Sequence, residues 1–460
     1  MNKRIIIIGG GISGLSLAWK LAQQGFEIFV IESENIVGGL SATMRENGYC
    51  MDIGPHSFFT ENDKIKNTVL GLFNPALKPE PRQVKFYYNG KYLDYPLTAY
   101  GVLFGMGFIS GMKAGFSFIA SKLLSLIRRK NINEKEMTVE DWAINSFGNY
   151  LYKSFFKPYT EQFWKMSCKE LSARSIPSHT RTSFINTLRL LLQKRRAKKG
   201  SSLVEREMLP TYYPETGYGE ISEKVAEMVF KAGGEIYTNS KAVSLQKLAN
   251  GSMRVSYLEN GNKKTLEGNH VISTIPIPNF INMLKPEVPE EISKSAQKLK
   301  YRSIVSLGMV TEKQNILDCG YMYLLNRPYN RISEMNKFSP KTSPDNENII
   351  MIEIPCLSDS TAWESTAEEL YEMCVGSLAE DGIIGPGDVK HLLMIKRKYA
   401  YPIYTKDYYN NLQKILNYIN ETEGIYTLGR VGEFMYMDLD KCMKRSFDFS
   451  EKFIQSKQFS

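Results

Sequence analysis

The chain opens on a strand, a glycine turn and a helix in immediate succession, which leaves few folds open to it. Lys3-Arg4-Ile5-Ile6-Ile7-Ile8 is a short isoleucine run, the pattern of a buried parallel strand. It leads into Gly9-Gly10-Gly11-Ile12-Ser13-Gly14, a G-x-G-x-x-G turn, and then into a helical pattern from Leu15 to Gln24. Glu27 to Val30 read as a second strand, and Ile31-Glu32 puts an acid about twenty residues past the glycines. Glycines let the backbone approach a pyrophosphate seated on the helix N-terminus, and Glu32 can accept hydrogen bonds from ribose hydroxyls. Together these elements predict a dinucleotide-binding βαβ unit.

At 460 residues the chain has room for two or three structural units. Asn47-Gly48, Asn89-Gly90, Asn250-Gly251 and Asn260-Gly261 mark tight hairpin turns. The last two divide Ala242 to Leu245, Met253 to Tyr257 and Lys264 to Leu266 into a meander. From Val102 to about Lys199 the periodicity is mostly helical, and Thr138-Val139-Glu140-Asp141 is a capping box with Asp in place of Glu. Ile221 to Ala232 is a helix, Glu235-Ile236-Tyr237 a strand returning to the first sheet, and Val271 to Thr274 a further buried strand. Ser303 to Thr311, Met322 to Leu325, Ile349 to Ile354 and Leu392 to Ala400 suggest a second sheet, with Ala367 to Ala379 helical. The chain closes with a strand from Ile425 to Leu428, a loop from Gly429 to Met437, and a helix from Asp438 to about Lys452.

The six cysteines have no C-x-x-C spacing and the four histidines are dispersed, so no metal site or disulfide framework is expected. The N-terminal apolar run is too short for a secretory signal, which predicts a cytoplasmic protein. The net charge of +9 is uneven. Arg189, Lys194, Arg195, Arg196, Lys198 and Lys199 fall in one acid-free segment, Arg181 to Gly200. A second stretch, Val102 to Ile127, is apolar and closes with Arg128-Arg129-Lys130; Lys113 near its middle argues against a membrane span. Two readings stand: a buried helical pair, or a basic amphipathic surface that receives an anionic substrate or rests peripherally on the inner membrane face. No recognition module accompanies the charge, so no nucleic acid partner is expected.

After Glu32, Asn35-Ile36-Val37-Gly38-Gly39-Leu40-Ser41 resembles the second glycine pair of the amine-oxidase-like flavoproteins. That superfamily includes monoamine oxidases, protoporphyrinogen oxidase, carotenoid desaturases and UDP-galactopyranose mutase. The resemblance implies FAD rather than NAD. It also implies an α/β fold: a discontinuous Rossmann-like FAD-binding domain (1–85, 212–290 and 420–460), a helical insertion (86–211) and a second, mixed-sheet substrate domain (291–419). Four segments are similar to UDP-galactopyranose mutase and its longer uncharacterised relatives. They are Asp52-Ile53-Gly54-Pro55-His56, Pro158-Tyr159-Thr160-Glu161-Gln162-Phe163-Trp164, Tyr301-Arg302-Ser303, and Gly429-Arg430 through Tyr436-Met437-Asp438-Leu439. Leu439 stands where the mutase has methionine. The arginine of the mutase's mobile loop has no clear counterpart, Arg181 being the nearest.

The resemblance implies a cofactor set of Gly9, Gly11, Ile12, Ser13, Gly14, Glu32, Ser33, Gly38, Gly39, Leu40, Gly54, Val243, Gly429, Asp438 and Leu439. It implies His56 and Arg302 beside the flavin, and Arg430 and Tyr436 on the diphosphate of a UDP-sugar. Arg302, Arg430 and Tyr436 would serve both catalysis and substrate binding. Tyr159 and Trp164 read either as core aromatics or as uridine-stacking rings. Two activities follow. In the first, reduced flavin N5 attacks the sugar, and an external electron donor such as NAD(P)H keeps the flavin reduced. In the second, oxidised FAD takes hydride from an amine, a porphyrinogen or an isoprenoid and passes electrons to an acceptor. The substrate is a small molecule in both.

Overall fold

This computed structural model describes residues 3–80, 84–88, 90–94, 108–127, 137–176 and 209–458. Its centre is a five-stranded parallel sheet in the order Ile425–Thr427, His270–Ser273, Arg4–Ile8, Glu27–Ile31, Glu235–Tyr237. Both faces are covered, which is why isoleucine and valine fill the inner strands. Helices Ile12–Ala22, Glu220–Lys231 and Leu439–Gln458 cover one face through Leu15, Val225, Val229, Met443 and Phe447. The other face carries the Asn-Gly meander and helices Ile277–Met283, Glu290–Gln297 and Tyr408–Glu421. The sheet thus draws its strands from three separate stretches of chain. Its last strand ends at Thr427, Gly429–Gly432 form a short helical turn, and the final helix starts at Leu439.

A seven-stranded mixed sheet forms the second layer system, in the order His391–Ile403, Lys300–Thr311, Asn348–Cys356, Arg331–Glu334, Tyr321–Leu324, Val84–Tyr88, Lys91–Asp94. Here the sequence-based division needs a correction. The hairpin Val84–Asp94, grouped with the helical insertion beyond residue 85, runs parallel to Tyr321–Leu324 and extends this sheet. Phe86 explains the placement: it is buried against Phe155, Tyr159 and Tyr323, an apolar surface that exists only at this junction.

The helical unit contains Phe108–Ile127, Val139–Leu151, a π-turn at Tyr152–Phe156 and Lys157–Trp164. Its capping box forms as the spacing predicts: Asp141 N donates to Thr138 Oγ1 at 3.0 Å, and Thr138 N to Asp141 Oδ2 at 3.1 Å. Gly148 (φ +84°) lets the two long helices touch, since a Cβ there would lie 2.8 Å from the Ser117–Phe118 backbone. Among the described residues no helix is long and apolar enough to cross a membrane, and no cluster of side chains could hold a metal. The basic segment Arg181 to Gly200 and the closing Arg128-Arg129-Lys130 lie outside the described residues.

Candidate active site

Where the first strand meets the first helix, the backbone is packed too closely for side chains. A Cβ on Gly9 would sit 2.5 Å from Thr274 Oγ1, and one on Gly14 2.0 Å from the Gly9 carbonyl oxygen. The second glycine pair closes on the first: Gly38 N donates to Gly10 O at 2.9 Å, and a Cβ on Gly39 would lie 3.3 Å from the Gly11 Cα. Glu32 braces this turn by accepting from Gly10 N at 2.6 Å, and its remaining lone pairs can still take a ribose hydroxyl. The helix N-terminus at Gly11 opens here, where first-turn N–H groups have no intrahelical acceptor. A bulge in the meander, between Ala242 and Ser244, turns Val243 onto the same space.

These residues form one wall of a cavity of about 1,620 Å³. Ordinary small-ligand pockets span about 300–1,000 Å³, so there is room for a dinucleotide and a second ligand together. The cradle fits a dinucleotide: bare backbone, a helix N-terminus and an acid meet where a pyrophosphate and ribose would lie.

The far wall is made of arginines and aromatic rings. Arg430 Nη1 donates to Met437 O at 3.0 Å and Nη2 to Ala400 O at 2.8 Å. Its guanidinium lies 4.6 Å from the ring centres of both Tyr401 and Tyr436, which stack on each other. Among the described residues no carboxylate pairs with it, so its charge stays available to an anion. Arg331 places Nε and Nη2 each 2.5 Å from the two oxygens of the buried Glu353, and Nη2 3.5 Å from the Tyr401 hydroxyl. Burial alone would raise the Tyr401 hydroxyl pKa, but Arg331, Arg302 and Arg430 together pull it below the ordinary tyrosine value. Tyr436 moves the other way, raised by Asp438 and by desolvation. His56 lies against the Tyr218 ring, and burial, reinforced by Arg331 and Arg430, pulls its pKa down to about 3. The imidazole is therefore neutral at physiological pH: it can donate or accept a hydrogen bond but adds no charge.

Gly9, Gly11, Ile12, Ser13, Glu32, Ser33, Gly38, Gly39, Leu40, Gly54, His56, Tyr159, Trp164, Val243, Arg430, Tyr436, Asp438 and Leu439 all line this one cavity. Three expected site residues do not. Arg302 is fully buried behind the wall, its guanidinium 4.0 Å from the Phe163 ring and 4.1 Å from Tyr401, with Nη1 donating to Phe163 O. It backs Tyr401 and does not itself face the cavity. Gly14 and Gly429 serve close packing; a Cβ on Gly429 would meet Ser13 Oγ at 2.6 Å. The Tyr159 ring joins the cluster of Phe86, Phe155 and Tyr323, as the core reading expects, and also lines the cavity. Sequence reasoning misses Arg331, Glu353, Tyr401 and Tyr218. Of these only Glu353 leaves a trace, as an acid inside the apolar run Asn348–Cys356.

The flavin-containing amine oxidoreductase family matches residues 12–389. A probable UDP-galactopyranose mutase of Klebsiella pneumoniae is 23% identical over 99% of this chain and 96% of its own length. Protoporphyrinogen oxidase 1 of Arabidopsis thaliana chloroplasts is 22% identical over 68% of this chain and 59% of its own. The crystal structure of a reduced UDP-galactopyranose mutase superposes with a TM-score of 0.80 at 17% identity, covering 99% of this chain and 94% of that one. On this match and on the cradle's geometry, the chain belongs to the flavin-containing amine oxidoreductase family, and its cofactor is FAD.

Proposed function

We propose that this flavoenzyme is a sugar-nucleotide mutase that binds a nucleoside diphosphate sugar, such as a UDP-sugar, and rearranges the sugar ring without net oxidation. Arg430 carries the reading: a half-buried cation held by two carbonyls and clamped against Tyr401 and Tyr436 on the wall opposite the FAD cradle. A planar fork fixed in this way suits diphosphate oxygens, and the tyrosines add neutral hydroxyl donors. Arg331 stands on the same wall as a second cation, its charge balanced by Glu353. Tyr159 and Trp164 offer ring faces to a nucleobase, and the surrounding aromatics exclude water from an activated sugar. Reduced FAD, when bound, supplies a nucleophilic nitrogen toward the anomeric carbon. Neutral His56 lines the cavity and would orient a bound group by hydrogen bonding, and the helix starting at Leu439 opens its N-terminus on the same cavity, where it would stabilise negative charge on a bound reduced flavin. An external donor such as NAD(P)H is needed to reduce the flavin.

Titration of the holoprotein with UDP, following the flavin spectrum in the oxidised and the reduced state, tests this. We expect a saturable response, weakened about tenfold or more by Arg430→Ala, the loss typical of a charged hydrogen-bonding partner. Yellow protein indifferent to UDP in both states would sink the reading. One feature favours a second activity, hydride transfer from an apolar substrate to oxidised FAD: Phe86, Trp142, Phe155 and Phe156 give the cavity an apolar end. Bleaching of the oxidised flavin by an amine, a porphyrinogen or an isoprenoid, with no response to UDP, would decide for it.

A further inference from the structure

Three guanidiniums surround one tyrosine on the wall opposite the cofactor cradle. Strand register sets Arg302 opposite Tyr401, with its guanidinium 4.1 Å from the ring centre, and the Arg430 guanidinium lies 4.6 Å from the same ring. Arg331 Nη2 donates to the Tyr401 hydroxyl oxygen at 3.5 Å, and among the described residues that hydroxyl donates its own proton to no acceptor. A phenol that accepts from a guanidinium and gives no hydrogen bond is held in the arrangement that suits its anion. The residue is half-buried and lines the cavity.

The charges around this ring do not balance. Arg302 is fully buried, donates to one carbonyl, Phe163 O, and leaves Nε and Nη2 without a hydrogen-bond partner among the described residues. Among those residues neither Arg302 nor Arg430 pairs with a carboxylate. Glu353 is taken by Arg331, and Asp438, two residues past Tyr436, pairs with Lys441. Cations withdrawn from water call for an anion within reach. We propose that Tyr401 supplies it: with no ligand bound, its phenolate is the counter-charge of Arg302 and Arg430, and an anionic ligand that reaches the arginines takes over that role while the oxygen picks up a proton from solvent. The new O–H is then a donor to the ligand, so a proton enters with the anion. Arg302, which does not face the cavity, is a positioning residue that acts through Tyr401.

The surrounding groups leave Tyr401 to titrate alone. Burial by itself would raise its hydroxyl, but Arg331, Arg302 and Arg430 outweigh burial and the opposing Glu353 and pull it below the ordinary tyrosine value. Asp438 first and burial second raise Tyr436, burial pushes Tyr159 and Tyr404 up to about 12, and burial pulls His56 down to about 3. Helix Lys157–Trp164 adds the uncharged rings of Phe163 and Trp164. Arg302, lowered by burial to about 10, keeps its charge at pH 9. The linkage then has a definite sign. Anions bind the protonated form, so affinity is full below the Tyr401 pKa and falls about tenfold per pH unit above it; a bound anion raises that pKa in return. A neutral ligand leaves the phenolate in place. The ionisation of Tyr401 stands apart from the nucleotide-sugar reading, and only the identity of the anion rests on it.

The test is the tyrosinate absorbance of the holoprotein against pH, wild type minus Tyr401→Phe, which cancels the remaining tyrosines and the flavin. One phenolate should form below the ordinary tyrosine value of about 10. Arg302→Met should return it toward that value and Arg302→Lys should shift it less, with flavin absorbance retained in both; a merely structural role for Arg302 would not move the titration. Sulfate, a dianion with no proton to release in this range, gives a second measurement that needs no variant. At about pH 9 it should bleach the wild-type phenolate saturably against chloride of equal ionic strength, with uptake of up to one proton per site, and UDP should bleach it too. A Tyr401 that ionises only at about pH 10 or above, or a phenolate that neither sulfate nor UDP bleaches, would overturn the proposal. Bleaching by sulfate with none by UDP would uphold it and sink the nucleotide-sugar reading instead.

Discussion

Removing half of the Arg331–Glu353 pair has a cost that follows from its geometry. Strands Arg331–Glu334 and Asn348–Cys356 are antiparallel neighbours, and their register sets the two residues directly opposite each other. Glu353 accepts one hydrogen bond from Arg331 Nη2, its other oxygen lies 2.5 Å from Nε as an ion-pair contact, and the side chains are 12% and 1% exposed. Two unit charges about 4 Å apart attract by about 4 kcal/mol at an effective dielectric of about 20. Removing one partner strands the other in the wall, a loss of about 3–5 kcal/mol, whereas replacing both with apolar residues can be close to neutral. Arg331→Met and Glu353→Leu should therefore each destabilise strongly, and the double variant far less than their sum. With a urea m-value of about 3 kcal/mol/M, each single variant lowers the unfolding midpoint by about 1 M or more. Trp164 and Trp363 both line the cavity and provide the fluorescence signal. The double-mutant cycle should return a coupling of about 3 kcal/mol. If the single losses add to within about 0.5 kcal/mol, the charges do not hold the wall together and the reasoning fails.

Asp52 makes a pH-dependent prediction. It is wholly buried and accepts from Thr43 Oγ1, the Tyr213 hydroxyl and Tyr218 N, yet burial holds its pKa up at about 6 against an ordinary 3.8. A raised carboxyl pKa contributes stability that is complete below the unfolded value and lost as pH rises through the folded one. Wild type should therefore lose about 2 kcal/mol relative to Asp52→Asn between pH 4 and pH 7; urea midpoints in matched buffers check this, and a gap independent of pH refutes it. Gly14→Ala should yield colourless protein, because its Cβ would press on the Gly9 carbonyl beneath the cofactor. Yellow protein at full flavin occupancy would show that the turn yields. Gly376→Ala, in the exposed middle of helix Ala367–Glu380 with nothing within 4 Å, should instead raise stability by about 0.5–1 kcal/mol in thermal unfolding.

The two walls of the cavity are legible in the sequence to different degrees, for a physical reason. The FAD wall is made of backbone: glycines that permit close approach, a helix N-terminus, an acid at a set distance. Each depends on neighbours a few residues away, so local spacing reads it, as it reads the capping box at Thr138 and the Asn-Gly meander. The opposite wall is made of side chains brought together by register between strands remote in sequence. Arg302 is opposite Tyr401, and Arg331 opposite Glu353, on four strands that lie side by side. Glu353 in its apolar run requires a cation, but nothing local says which of the 58 lysines and arginines supplies it. Arg302 shows the converse: its motif is readable, yet Tyr401 and Phe163 decide that it stands behind the wall. Cofactor chemistry therefore follows from motif residues, and substrate choice follows from register. Variants at Arg331, Glu353 and Tyr401 should change which ligand binds while leaving FAD in place, and variants in the glycine cradle should do the reverse.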